Sequence, residues 1–120
     1  MASGVIKNTV VKPAIYNAPA SLSVSNNVET VLVQQELSKG TWLIFCGCGW
    51  WQNNTGYRQI FTGDGRNKKD FVNATTGAMT QQSFCYIDTF NNTTNLTLKG
   101  LQNSGSALQA YPYIGAIKLF

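Results

Sequence analysis

The sequence predicts an all-β antiparallel sandwich, and three features carry that prediction. Short β-rich runs separated by Gly, Asn, Ser and Thr turns recur at spacings near the roughly 8–12 residues usual in sandwiches and barrels. No amphipathic helix of useful length is present. Two runs, Thr41–Trp50 and Tyr113–Phe120, are apolar at both odd and even positions, whereas a strand covered on one face alternates.

Residues 1–27 are poorly patterned and carry Pro13 and Pro19; they are expected to form an N-terminal arm or attachment segment with room for a first strand. Val28–Leu37 is a strand that ends in the turn Ser38-Lys39-Gly40, and Thr41–Trp50 follows as the most apolar strand. After a loop through Gly56 come a strand at Tyr57–Thr62, the polar loop GDGRNKKD and a short strand at Phe71–Ala74. Met79–Phe90 reads as a long strand, Asn95–Leu101 sets Leu96 and Leu98 against Thr97 and Lys99, and Tyr111–Phe120 closes the chain. About eight strands in one domain, residues 28–120, point to a jelly-roll sandwich.

Composition narrows the function classes. The chain has 120 residues, enough for one core; 43% are hydrophobic and 12% charged, about half the usual charged share of roughly 25%. The net charge of +4 is spread out, and Asp64 and Asp70 flank the local group Arg66, Lys68 and Lys69, which reads as a solvated loop. Nucleic-acid binders carry denser basic stripes, so no nucleic-acid partner is expected. No run approaches the roughly 18 apolar residues that span a bilayer, so no membrane partner is expected, and the start lacks the apolar core of a signal peptide. Without such a signal, the five N-x-S/T sequons, at Asn53, Asn73, Asn91, Asn92 and Asn95, read as turn and strand-surface residues.

The chain has no histidine, which removes the commonest general base. Its five acidic residues show no spacing that argues for glycoside hydrolysis, and GDGRNKK precedes no helix that would make it a phosphate loop. Cys46 and Cys48 share one face of a strand and suit no ordinary disulfide; with Cys85 they read as small buried residues. A calcium site at Asp64 and Asp70 is the weaker alternative to a metal-free loop. The chain reads as non-enzymatic, without cofactor or metal.

The two-faced strands demand a second covering layer. In the last strand Tyr113, Gly115, Ile117 and Leu119 share one face; Ile114, Ala116, Lys118 and Phe120 share the other. One face packs into the sandwich, and the other would leave an apolar patch of the kind that marks an interface.

Gly40-Thr41-Trp42-Leu43-Ile44, Gly56-Tyr57-Arg58-Gln59-Ile60, the turn Gln102-Asn103-Ser104-Gly105-Ser106 and Tyr113–Leu119 occur in an order that resembles the tumour-necrosis-factor/complement-type trimeric jelly roll. The form resembled is that of bacteriophage tail and head fibres and receptor-binding proteins; it covers residues 28–120, and the complement-type Gly-X-Y stretch is missing. The resemblance implies a homotrimer, with Tyr113 at the axis and Ile117 and Leu119 joining it by alternation. The neighbouring strand would contribute Phe84 and Tyr86 or, in the opposite parity, Cys85 and Ile87. In such an arrangement Arg58 would pair with a carboxylate.

The resemblance further implies a virion protein made in the host cytoplasm. Its first expected role is a fibre tip that attaches to a bacterial surface glycan or protein through Trp50, Trp51, Gln52, Asn53, Asn54 and Tyr57. The bland reading of the two tryptophans is a cap on the sandwich edge. The alternative role is a capsid-decorating or fibre-trimerising module without its own receptor, joined to other virion proteins through the N-terminal arm. An intracellular glycan-binding jelly roll is the third class.

Overall fold

A computed structural model of the chain describes residues 14–63 and 68–120. Among the described residues nine strands follow in order: β1 (Ala14–Asn17), β2 (Leu22–Val24), β3 (Thr30–Leu37), β4 (Gly40–Trp50), β5 (Tyr57–Thr62), β6 (Lys69–Asn73), β7 (Thr80–Phe90), β8 (Thr94–Gln102) and β9 (Leu108–Lys118). One sheet runs β1-β9-β4-β7, with β2 also on β9; the other runs β3-β8-β5-β6, and every pairing is antiparallel. Two facing sheets between which the chain crosses at every step except β1 to β2 and β5 to β6 make a jelly-roll-like sandwich.

The even positions of β4 and β9 build the core. Trp42, Ile44, Cys46, Cys48 and Trp50 from β4 meet Leu108, Ala110, Ile114 and Ala116 from β9, all buried. Leu37, Ile60, Leu96 and Leu98 close the core from the opposite sheet. Each fully buried Ile or Leu among these contributes about 1.5–3 kcal/mol. A register shift between Val31 and Val33 lets the consecutive residues Leu32 and Val33 both bury, which strict alternation forbids.

Pro112 shows how β9 stays central despite lacking one N–H. β2 pairs with Leu108–Ala110 and β1 with Ile114–Ile117, so Pro112 falls in the gap between these two short strands.

The expected arm is partly incorporated. Residues 14–17 and 22–24 form β1 and β2 on the edge of β9, while residues 1–13 lie outside the described residues. Of the basic group in the polar loop, Lys68 departs from its solvated reading, pairing with Asp88 at 2.5 Å and sitting 5.2 Å from the Tyr86 ring centre, while Lys69 is exposed; Asp64 and Arg66 lie outside the described residues.

Candidate functional site

The outward positions of the β1-β9-β4-β7 sheet carry no charged side chain. Across the sheet, register aligns Ile87, Leu43 and Ile117 in one row, and Cys85, Phe45, Gly115 and Tyr16 in the next. Ser83, Gly47 and Tyr113 form a third row. Tyr16 is 67% exposed, Ile87 62% and Ile117 38%.

Two glycines flatten this face. A Cβ on Gly47 would overlap the Tyr113 ring, and one on Gly115 would overlap the Phe45 ring, so both aromatics lie across the strand beside their own. Tyr16 packs on Tyr113 with ring centres 5.6 Å apart. Burial, with Tyr16 and Cys46 nearby, pushes the Tyr113 hydroxyl above its ordinary pKa. The result is a smooth, uncharged apolar surface built from rings laid on glycine.

Tyr113 and Ile117 therefore share the outer face, as alternation requires. Leu119 lies just beyond β9, its N–H donating to the Thr41 carbonyl at 2.8 Å. Phe84 and Tyr86 do not join this face: they point into the sandwich, stacked with centres 5.9 Å apart and packed against the core. The Tyr86 hydroxyl pairs with Thr62 Oγ1 at 2.8 Å, and burial pushes its pKa up to about 12. The outward members of β7 are Cys85 and Ile87, so the Phe84 and Tyr86 expectation is corrected by the parity of the strand. Cys85 is exposed, which also corrects its reading as a buried residue.

At the far end of β4 the expected ligand cluster divides. Trp50 is fully buried and its Nε1–H donates to Gln82 Oε1 at 2.6 Å, so it belongs to the core and not to a ligand surface. Trp51 is 55% exposed, and its backbone N–H donates to the Gln109 carbonyl at 2.8 Å. Gln52 is exposed. Asn53 Oδ1 accepts the Thr55 N–H and Asn54 Oδ1 accepts the Gly77 N–H, both at 2.9 Å, so these side-chain carbonyls shape the loop. Tyr57 stacks on Phe71 at 4.8 Å between centres, and Phe71 is 56% exposed. Phe71 was missed because it is the only aromatic of a short polar strand; cross-strand pairing with β5 is what gives it a partner.

Arg58 holds that loop from inside. Its guanidinium donates to the carbonyls of Asn53 at 2.9 Å, Thr55 at 2.8 Å and Tyr57 at 3.1 Å, in place of the expected carboxylate. Desolvation lowers its pKa, yet an arginine remains charged at any ordinary pH. Gly56 adopts φ +79° beside Asn103, whose Oδ1 accepts the Tyr57 N–H at 2.6 Å. The Gln102 turn is built in the same way: its side chain donates to the carbonyls of Val24 and Ser106 and accepts the Ser104 N–H.

A cleft of about 360 Å³ opens between Thr62, Tyr86, Asp88, Phe90 and Leu96. Its Lys68–Asp88 and Thr62–Tyr86 pairs already satisfy one another. Among the described residues no three potential metal ligands cluster, and the Asp70 carboxylate accepts from Gln82 Nε2 at 3.1 Å.

No family model matches the chain, and no curated protein matches its sequence. Among solved structures it is similar to the VP2 subviral particle of infectious bursal disease virus, with TM-score 0.63 and 13% identity over 89% of this chain and 32% of that one. The T=1 particles derived from the same virus give TM-score 0.61 at 15% identity, covering 89% of this chain and 31% of that one. The Gx strain structure gives 0.61 at 12% identity over 89% and 33%. The chain thus spans about a third of the length of the viral chains it matches, and what it shares with them is the two-sheet antiparallel β-sandwich fold.

Proposed function

We propose that this chain is a non-enzymatic structural domain of a virion that assembles as a homotrimer through the outer face of its β1-β9-β4-β7 sheet. The observation that carries the reading is the uncharged face of Tyr16, Leu43, Phe45, Tyr113 and Ile117, flattened by Gly47 and Gly115. Covering such a face contributes roughly 25 cal/mol per Å² of apolar area, and a standard interface buries about 800 Å² per partner. The likeness of the fold to viral particle proteins supports a virion setting, and the resemblance to trimeric fibre jelly rolls supports threefold symmetry. Fibre-type trimerisation or capsid decoration suits the face best.

A second role, attachment to a bacterial surface glycan or protein, is favoured by the exposed Trp51 and the Tyr57–Phe71 stack. Stacked aromatics beside neutral amides suit the apolar face and hydroxyls of a sugar.

The test is Ile117→Asp. Ile117 is already partly exposed, so the variant folds, but each copy would bury an unpaired carboxylate on assembly. Sedimentation velocity should show a folded monomer; an unchanged trimer would remove this face from the interface.

A further inference from the structure

The edges of the two sheets are unequally protected. β3 carries a bulge and Glu36, and Asn17 Nδ2 donates to its Gln34 carbonyl at 3.0 Å. β6 is five residues long and carries Lys69 and Asp70, and β1 and β2 have only four and three residues. β7 has none of these devices. It runs eleven residues in unbroken register with β4, contains no lysine or proline, and its one charge, Asp88, is neutralised by Lys68. Among the described residues nothing pairs with its outer side. A long edge of unbroken register, with its single charge already paired, is a template for another strand.

The sequence supplies a segment of matching composition. Residues 5–12, VIKNTVVK, contain five β-branched residues, Val5, Ile6, Thr9, Val10 and Val11, and lead through Pro13 into β1. We propose that this segment of one copy adds to the β7 edge of a neighbouring copy, so that subunits are tied by strand exchange as well as by their faces. The inference rests on the assembly proposed above.

The neighbour's edge is favoured over the chain's own on geometry. β1 lies across the sheet from β7, three strand spacings or about 14 Å away. The end of the sheet between them is occupied by Leu119 and Phe120, which bond to Thr41. Because Ala14 opens β1 opposite Ile117, at the end where Phe90 closes β7, own-chain pairing would run parallel. A neighbour can present the segment antiparallel, the slightly stronger arrangement.

Hydrogen exchange over residues 80–90 tests this, comparing the full chain with a variant lacking residues 1–12 and with full-length Val10→Pro. In the assembled full chain, the β7 amides not bonded to β4 should exchange at least tenfold more slowly than in either variant, and dilution to monomer should abolish the difference. Equal exchange in a trimer with and without the segment overturns the inference and leaves the face-to-face assembly standing. Protection that survives in the monomer overturns it in favour of the chain's own segment. A monomer at all concentrations with unprotected amides removes both proposals.

Discussion

The ring of Phe45 lies across the strand on Gly115, filling the space where any other residue would place its Cβ. This pairing, repeated by Tyr113 on Gly47, makes the outer face flat as well as apolar. Gly115→Ala would push the Phe45 ring off the sheet, since the buried backbone beneath cannot yield. It should lower stability by about 1–3 kcal/mol, read as a lower urea midpoint at constant slope, and weaken self-association in parallel. An unchanged midpoint would show that the ring is not seated there.

Arg58 ties the Asn53 and Thr55 carbonyls of one loop, and the Tyr57 carbonyl at the start of β5, to the sheet beneath it. Arg58→Met keeps most of the volume but leaves those acceptors without their charged donor. A loss of about 3 kcal/mol is expected, together with faster exchange of the amides in residues 52–57. A loss within about 0.5 kcal/mol would mean that water replaces the guanidinium.

The two adjacent tryptophans should behave oppositely. Trp50→Phe strands Gln82 Oε1 inside the core and should cost about 1–3 kcal/mol without changing any surface interaction. Trp51→Ala should stay within about 0.5 kcal/mol of the parent and lower binding to host cells, if attachment uses that loop. Equal stability losses in the two variants would contradict their assignment to core and surface.

The architecture was legible where burial on one face follows strand parity. Tyr57–Thr62 was placed residue for residue, and Thr41–Trp50 to within one residue, because even-numbered Trp42, Ile44, Cys46, Cys48 and Trp50 all face the core. β1 and β2 were obscured by Pro13, Pro19 and short length: their pairing is a property of β9, which accepts two separate strands on one edge. The parity of β7 was ambiguous because both of its faces carry aromatic or apolar residues, Phe84 and Tyr86 inward, Cys85 and Ile87 outward. Only the sheet partner resolves it, since Ile87 must share the face of Leu43. The Trp-Trp pair suffered the reverse ambiguity, as adjacent strand residues point oppositely and one had to be core.

The thiols give a check independent of assembly. Cys46 and Cys48 are buried, and desolvation pushes both from an ordinary value of 9.0 up to about 12. Ellman's reagent should therefore react quickly with one thiol, Cys85, in the folded chain, and with all three after unfolding. Stability should depend on pH in one direction. Below pH 9 both states hold these protons; as pH rises from 9 toward 12 the unfolded chain releases them first, so stability falls across that window. Tyr86, raised to about 12 by burial, adds to the same fall. A stability that rises with pH above 9 would contradict the buried placement of these groups.

Light scattering coupled to size exclusion tests the central claim most directly, because the outer face of the β1-β9-β4-β7 sheet has no other role in the account. The wild-type chain at micromolar concentration should elute with a mass three times its 13.1 kDa. A single-chain mass of 13.1 kDa across the same concentrations would contradict the assembly and leave that apolar face unexplained.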